Sequence, residues 1–331
     1  MNSFHAFNSK ILSVLEHSRQ KNIIIYGDKG SYLQWLLKEN GFNVAYIIDR
    51  WETSEYAHIN HLMTLYYLDE DEVDDYVIIN SVPRIIGVKN SFIDIGEQWD
   101  KAVAKDIEII DLWDIIYSNY SENVVDNAYP SISYFDYLQT SYGLDITNEV
   151  RRKDVKGKGA HGYYPTDVRL LKELFLDTFS NNRKVFDFGC GKGAVLCFLY
   201  ENGYEKLGGI ECTPDIYNIG KSNINKLYTA ECGSGRIKEI EFLLGNAMEL
   251  NEILDDYDLF FFFNPFAYWV FENVFDNIIS SIRRKKRKIN LVYAEPMCHK
   301  LIISSGLFRK VGRYGHTLSG ITYDTYVYES I

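Results

Sequence analysis

The run Val185-Phe186-Asp187-Phe188-Gly189-Cys190-Gly191-Lys192-Gly193 constrains this chain more than any other stretch. A short segment of strand character carries an acidic residue, and Gly-x-Gly-x-Gly then leads into Ala194, Val195, Leu196, Phe198 and Leu199, which read as a helix. Glycines at that spacing let the backbone turn sharply and let a ligand come close to it. Strand, glycine turn and helix in this order belong to an open parallel α/β sheet, whose ligands bind at the carboxyl ends of the strands. The glycine turn alone is shared by dinucleotide and nucleoside cofactors, so the residues around it must discriminate.

Three features do. Asp187 stands just before the first glycine, where a pyrophosphate site would usually be apolar and where a carboxylate suits a cationic ammonium group. Glu211 ends the next strand, Leu207-Gly208-Gly209-Ile210-Glu211, where an acid accepts from ribose hydroxyls. Asn246-Ala247 follows a strand over 241–244, and an amide there can pair with an adenine edge.

The same alternation of strands and helices runs through the whole chain and predicts parallel sheets with right-handed crossovers. In the first half, Phe4, Phe7, Ile11, Val14 and Leu15 predict an amphipathic helix over 3–19. Strands follow at 23–26, 44–48, 75–80 and 107–110, with helices after the first and around Trp113 and Tyr134. Gly27-Asp28-Lys29-Gly30, with Asp49 some way on, is an incomplete nucleotide fingerprint, because Asp28 and Lys29 replace small residues. In the second half, Thr166 is the expected N-cap of a helix over 167–180, with Leu171, Leu174, Phe175 and Phe179 inward. Strands are predicted at 184–188, 206–210, 239–244, 257–263, 288–293 and 323–329.

These elements predict an α/β protein of two Rossmann-like three-layer domains. The boundaries are 1–115 for a small first domain, 116–160 for a helical connector ending in the basic stretch Arg151 to Gly159, and 161–331 for the domain with the glycine turn. That basic stretch reads as an exposed connector or as a loop at the mouth of the next site. Charge divides the same way. Of a net −11, residues 1–150 carry 10 Lys+Arg and 24 Asp+Glu, so −14, and the remainder carries 25 and 22, so +3. An acidic half repels phosphate backbones, which disfavours a nucleic-acid partner.

The second half resembles a class I S-adenosylmethionine-dependent methyltransferase, and so implies that fold with its mostly parallel seven-stranded sheet. The resemblance rests on Asp187 to Gly193, Glu211, Asn246 and the sequence Phe262-Phe263-Asn264-Pro265-Phe266. It implies that Asp187, Gly189, Cys190, Gly191 and Gly193 hold the methionine part of S-adenosylmethionine, that Glu211 holds the ribose, and that Asn246 and Ala247 meet the adenine. It also implies that Asn264, Pro265 and Phe266 form the catalytic motif, with Asn264 near cofactor or substrate. His161-Gly162-Tyr163-Tyr164-Pro165-Thr166 is similar to a segment that folds over the cofactor in poorly characterised bacterial methyltransferases. A sub-group that methylates amino groups has two prolines after the Asn where this chain has one, so nitrogen-directed chemistry stays an alternative. The first domain is similar to Rossmann-like units attached to bacterial sugar-modifying enzymes. It is read as a nucleotide or nucleotide-sugar binder or as a structural, oligomerising domain.

The expected function is therefore direct methyl transfer to a small molecule or carbohydrate, including a nucleotide-linked or capsular sugar. Methylation of nucleic acid or a protein side chain, and cofactor binding without catalysis, are the alternatives. An oxygen acceptor needs a general base, for which His161, Tyr163 and Glu295 are candidates by position. Tyr268 and Trp269 are either walls of the acceptor pocket or helix-face aromatics. The run 283–288, Arg-Arg-Lys-Lys-Arg-Lys, reads best as a helix C-terminus whose cations offset the dipole.

Composition closes off other classes. Hydrophobic residues make up 46% and charged residues 24%, a globular profile. No apolar run approaches the roughly 20 residues that cross a bilayer, and the start has no basic flank followed by an apolar core. A cytoplasmic protein is expected, with no membrane partner. Five cysteines at 190, 197, 212, 232 and 298 lack a C-x-x-C spacing, so neither a disulfide framework nor a metal site is expected.

Overall fold

A computed structural model describes residues 3–26, 32–48, 74–81, 107–116, 133–150, 162–230, 239–318 and 321–331. The chain divides into two compact units, 3–140 and 141–331. Gly27, Asp28, Lys29, Gly30, Asp49, the basic stretch 151–159 and His161 lie outside the described residues.

In the first unit, helix α1 (Ser3–Leu15) buries Phe4, Phe7, Ile11 and Leu15 on one stripe. Strand β1 (Asn22–Tyr26), helix α2 (Tyr32–Glu39), and strands β2 (Asn43–Ile48), β3 (Tyr76–Asn80) and β4 (Glu108–Asp111) follow. The strands form a parallel sheet in the order β2-β1-β3-β4. Ile23, Ile24 and Ile25 are fully buried, as a central parallel strand covered on both faces requires. Helices α3 (Leu112–Ile116) and α4 (Tyr134–Tyr142), the latter running two residues past the unit's boundary, are the remaining elements among the described residues. Phe4 meets Tyr134 edge-on at 5.1 Å, and Phe7 stacks on Tyr137 at 4.7 Å. The aromatic helix α4 thus packs on α1, and the two compact units divide after Thr140.

The second unit opens with helix α5 (Val168–Leu171), which runs on as a π-helix over Lys172–Thr178. Its N-cap is Asp167, whose carboxylate accepts from the Arg169 N–H at 2.8 Å; Thr166, the expected cap, is buried. The widened π turn ends at Phe179 in extended conformation, so Phe179 is only half-buried while Leu171, Leu174 and Phe175 face inward as expected.

Then come β5 (Val185–Phe188), α6 (Ala194–Glu201), β6 (Lys206–Glu211), α7 (Pro214–Ala230), β7 (Glu239–Leu244), β8 (Leu259–Phe263), α8 (Tyr268–Arg284), β9 (Asn290–Ala294), α9 (His299–Ser304), β10 (Phe308–Leu318) and β11 (Ile321–Ser330). The sheet order is β10-β11-β9-β8-β5-β6-β7, with β11 antiparallel to both neighbours and the pairs from β9 to β7 parallel. This is the mostly parallel seven-stranded sheet expected of the second half. Strand β10 was not anticipated: Gly312, Gly315 and its cations mask the alternation, as suits an edge strand. Phe188 on β5 stacks face to face with Phe262 on β8 at 4.7 Å in the buried core. From β5 the chain winds outward to β6 and β7, then returns to β8 on the other side of β5. The reversal makes a topological switch point at the carboxyl ends of β5 and β8, where a crevice opens in such sheets.

Candidate functional site

The glycine loop after β5 sits at that switch point. Gly189, Gly191 and Gly193 all have left-handed backbones, with φ of 74°, 55° and 78°. The Gly189 and Cys190 N–H groups both donate to the Ile210 carbonyl at 3.0 Å, which ties the loop to the end of β6. Two glycines are also required by space. A Cβ on Gly189 would stand 2.4 Å from Pro265 Cβ, and one on Gly191 would stand 2.2 Å from a ring carbon of Tyr163. The loop is therefore bracketed by Pro265 on one side and Tyr163 on the other, so residues distant in sequence meet on it.

Two carboxylates lie beneath this loop. Glu211 is fixed: its Oε2 accepts from the Gly191 N–H at 3.1 Å and its Oε1 from the Thr213 N–H at 2.7 Å. Each oxygen keeps a lone pair for a further donor. Asp187 is buried, at 3% exposure, and has no hydrogen-bond partner among the described residues. Burial first, and the nearby Glu211 charge second, push its carboxyl up to about 8. A buried carboxyl left in that state is costly unless a cation or donor comes to meet it. Such a pair can take a cation at Asp187 and hydroxyl donors at Glu211.

Across the switch point, Asn264 directly follows β8 and Glu295 directly follows β9. They are the non-glycine residues with positive φ, at 37° and 52°, among those described. Such conformations cost on the order of 1–3 kcal/mol and gather at functional sites. The Asn264 amide donates to Glu295 Oε2 at 3.2 Å, so its Oδ1 is turned free of that contact. Both side chains are half-buried. Together they offer acceptor oxygens to a substrate N–H or O–H. Glu295 joins Asn264 although the motif Asn264-Pro265-Phe266 alone does not reveal it.

The remaining expected residues divide by what their atoms already do. Cys190 is buried, and its thiol is pushed up by desolvation and by the Asp187 and Glu211 charges, so it contributes backbone and volume rather than a thiolate. The Asn246 side chain accepts from the Met248 N–H at 3.1 Å and caps a 3₁₀ turn that starts at the buried Ala247. Its Nδ2 remains for a ligand, but Oδ1 has a structural duty. Phe266 is half-buried and meets Phe262 edge-on. The Tyr163 hydroxyl donates to the Ile146 carbonyl at 2.7 Å, and burial raises the phenol well above its ordinary value. Tyr163 is therefore no general base; its ring is what it brings to the loop. Tyr268 and Trp269 are exposed at the start of α8.

The basic run is largely spent on the protein itself. Arg284 pairs with Asp255, Lys285 with Asp256 and Lys288 with Glu329. Arg287 donates to the carbonyls of Tyr257, Leu254, Ser281 and Lys285. Among the described residues, no helix is long and apolar enough to cross a membrane, and no group of three or more His, Cys, Asp or Glu could hold a metal ion.

No family model and no curated protein sequence matches the chain. Several solved structures share parts of its path. A Synechocystis magnesium protoporphyrin IX methyltransferase with bound SAM aligns at 12% identity and TM-score 0.38, over 66% of this chain and 89% of its own. An Aquifex aeolicus SAM-dependent methyltransferase aligns at 17% identity and TM-score 0.36, over 50% and 94%. The B. subtilis m1A22 tRNA methyltransferase aligns at 11% identity and TM-score 0.38, over 50% and 66%.

Proposed function

We propose that the second unit binds S-adenosylmethionine and directs its methyl group to a small molecule or carbohydrate that presents a hydroxyl or amine. The observation that carries this reading is the buried, partnerless carboxylate of Asp187 beside the backbone-held Glu211, under a left-handed glycine loop at the switch point. A pyrophosphate is the wrong ligand for that pair, because two carboxylates repel it. An aminoacyl sulfonium nucleoside is the right one: its ammonium answers Asp187 and its ribose hydroxyls answer Glu211. Bound there, S-adenosylmethionine supplies an already activated methyl group. The chain's residues have the tasks of aligning the acceptor and keeping water away.

The acceptor's chemistry follows from what faces it. Asp187, Glu211 and Glu295 are all acidic, so an anionic acceptor atom is disfavoured. Asn264 and Glu295 offer oxygens, so the acceptor brings hydrogens, as a sugar hydroxyl or an amine does. The ion pairs of Arg284, Lys285 and Lys288 and the carbonyl hydrogen bonds of Arg287 leave little of the basic run for a phosphate backbone, which supports the small acceptor over nucleic acid.

Calorimetry on the full chain tests the reading. S-adenosylhomocysteine should bind one to one and NAD should not bind. A UDP-sugar binding to the S-adenosylhomocysteine-loaded protein would support the sugar acceptor. Failure of S-adenosylhomocysteine to bind, or preference for NAD, overturns the assignment.

A further inference from the structure

Resting on that reading, we infer that Lys192, Asp145 and Asn223 are positioning residues for the cofactor: they clamp Tyr163 onto the glycine loop and so set the wall of the site. Lys192 lies between the second and third glycines, where nothing in the fingerprint calls for a lysine. Its side chain is 3% exposed, and its Nζ donates to Asp145 Oδ1 at 2.8 Å. The same ammonium lies 5.5 Å from the centre of the Tyr163 ring. A buried lysine in a turn made of glycines is costly to place and is tolerated only when paired.

Asn223, buried on α7, stitches both sides of the seam. Its Oδ1 accepts from the Asp145 N–H at 2.9 Å, while its Nδ2 donates to the Asp145 carbonyl at 2.9 Å and to the Lys192 carbonyl at 3.0 Å. One amide thus holds residue 145 and the glycine loop in a single register. From there the hold passes to Tyr163. Its hydroxyl bonds Ile146, next to Asp145. Val150 and Tyr163 exchange both backbone hydrogen bonds, at 2.9 and 2.8 Å, as an antiparallel bridge. The end of this chain of contacts is the ring of Tyr163 against Gly191, above the pair of carboxylates. Leu144 and Ile146 are buried as well, so the segment is packed as well as tied. None of the three polar residues needs to touch the ligand; they act through Tyr163.

The experiment uses the full chain with Asp145→Asn, Lys192→Met and Asn223→Ala, and two measurements. The first is amide hydrogen exchange on the ligand-free protein. The Val150 and Tyr163 amides, each bonded to the other's carbonyl, should exchange at least tenfold faster in the variants. Amides in β8 and β9 should keep the wild-type rate. The second is S-adenosylhomocysteine affinity, which should weaken about tenfold through faster dissociation. Lys192→Arg, which keeps the charge, should restore part of the loss. A merely structural role would lower the melting temperature and leave affinity and the two amides unchanged, and that result overturns the inference. If the wild type binds no S-adenosylhomocysteine, the proposed function fails instead, and the exchange rates of the ligand-free protein still decide whether the clamp exists.

Discussion

The two sheets of this molecule place polar groups at the same end and treat them differently. In the first unit, Asn80 and Asp111 end the adjacent strands β3 and β4, and the amide of one donates to Asp111 Oδ1 at 3.1 Å. In the second unit, Asp187 on β5 and Glu211 on the neighbouring β6 are both acids, and neither donates to the other. Glu211 is satisfied by backbone N–H groups, while Asp187 is left buried without a hydrogen bond among the described residues. At the first strand end an acid meets a neutral amide, and at the second an acid stands beside another acid. Two buried acids set side by side create a demand that a cationic ligand can meet. That difference is why the proposed chemistry is assigned to the second sheet, although both have the same α/β design.

The sharpest way to break the comparison is to remove the unmatched charge. Asp187→Asn keeps the shape and removes the anion proposed to receive the ammonium. Losing one partner of a buried charge pair costs about 2–5 kcal/mol. Calorimetry should therefore show S-adenosylhomocysteine affinity falling by roughly a hundredfold or more. The melting temperature should hold or rise, because a neutral amide replaces a strained carboxyl. Asp111→Asn in the first unit should leave that affinity untouched. Equal affinity in Asp187→Asn and wild type would dissolve the distinction between the two sheets.

Acidity gives the next test. A carboxyl raised to about 8 keeps its proton in the folded protein at pH values where an unfolded chain has released it. Its contribution to stability is fully present below about pH 4 and fades as pH rises through about 8. Cation binding asks for the opposite state. At pH 7, S-adenosylhomocysteine should therefore expel close to one proton as it binds, and affinity should climb up to about tenfold per pH unit until about pH 8. Calorimetry in two buffers of different ionisation enthalpy counts that proton. The count should drop to near zero in Asp187→Asn, and a zero count in the wild type would mean that Asp187 is not the group that meets the ligand.

What the sequence could reveal follows the range of the forces involved. The glycine loop, Asp187 and Glu211 were legible because strand, turn and acid follow one another within a few residues, and local backbone geometry dictates the residue types. The run Leu259 to Phe263 was legible as a buried strand because both of its faces are covered. Strand β10 was not, since an edge strand carries glycines and cations in place of alternation. The clamp of Lys192 on Asp145 spans 47 residues, and the meeting of Asn264 with Glu295 spans 31. No pattern in a single sequence announces contacts that only the sheet order creates. The π turn before Phe179 and the cap at Asp167 were missed for a smaller reason: they change only the helix ends and leave Leu171, Leu174 and Phe175 on its apolar stripe.

The smallest expected effect extends the same contrast to the basic run, where charge is matched on the surface. Arg284 makes two hydrogen bonds to Asp255, and that contact is the main cause holding the Asp255 carboxyl below its usual range. The ion pair lies at the surface with its side chains 32% and 20% exposed, so water and salt screen part of its energy. Arg284→Met should therefore cost at most about 1 kcal/mol in denaturant unfolding. Raising the salt concentration should shrink the difference further. S-adenosylhomocysteine affinity should stay at the wild-type value, because this end of α8 lies at the sheet's amino edge, away from the glycine loop. Arg283 and Lys286 have no acidic partner among the described residues, so removing them should cost still less. A steep loss of affinity in Arg284→Met would mean that surface charge, and not the buried acid of Asp187, governs what the second unit holds.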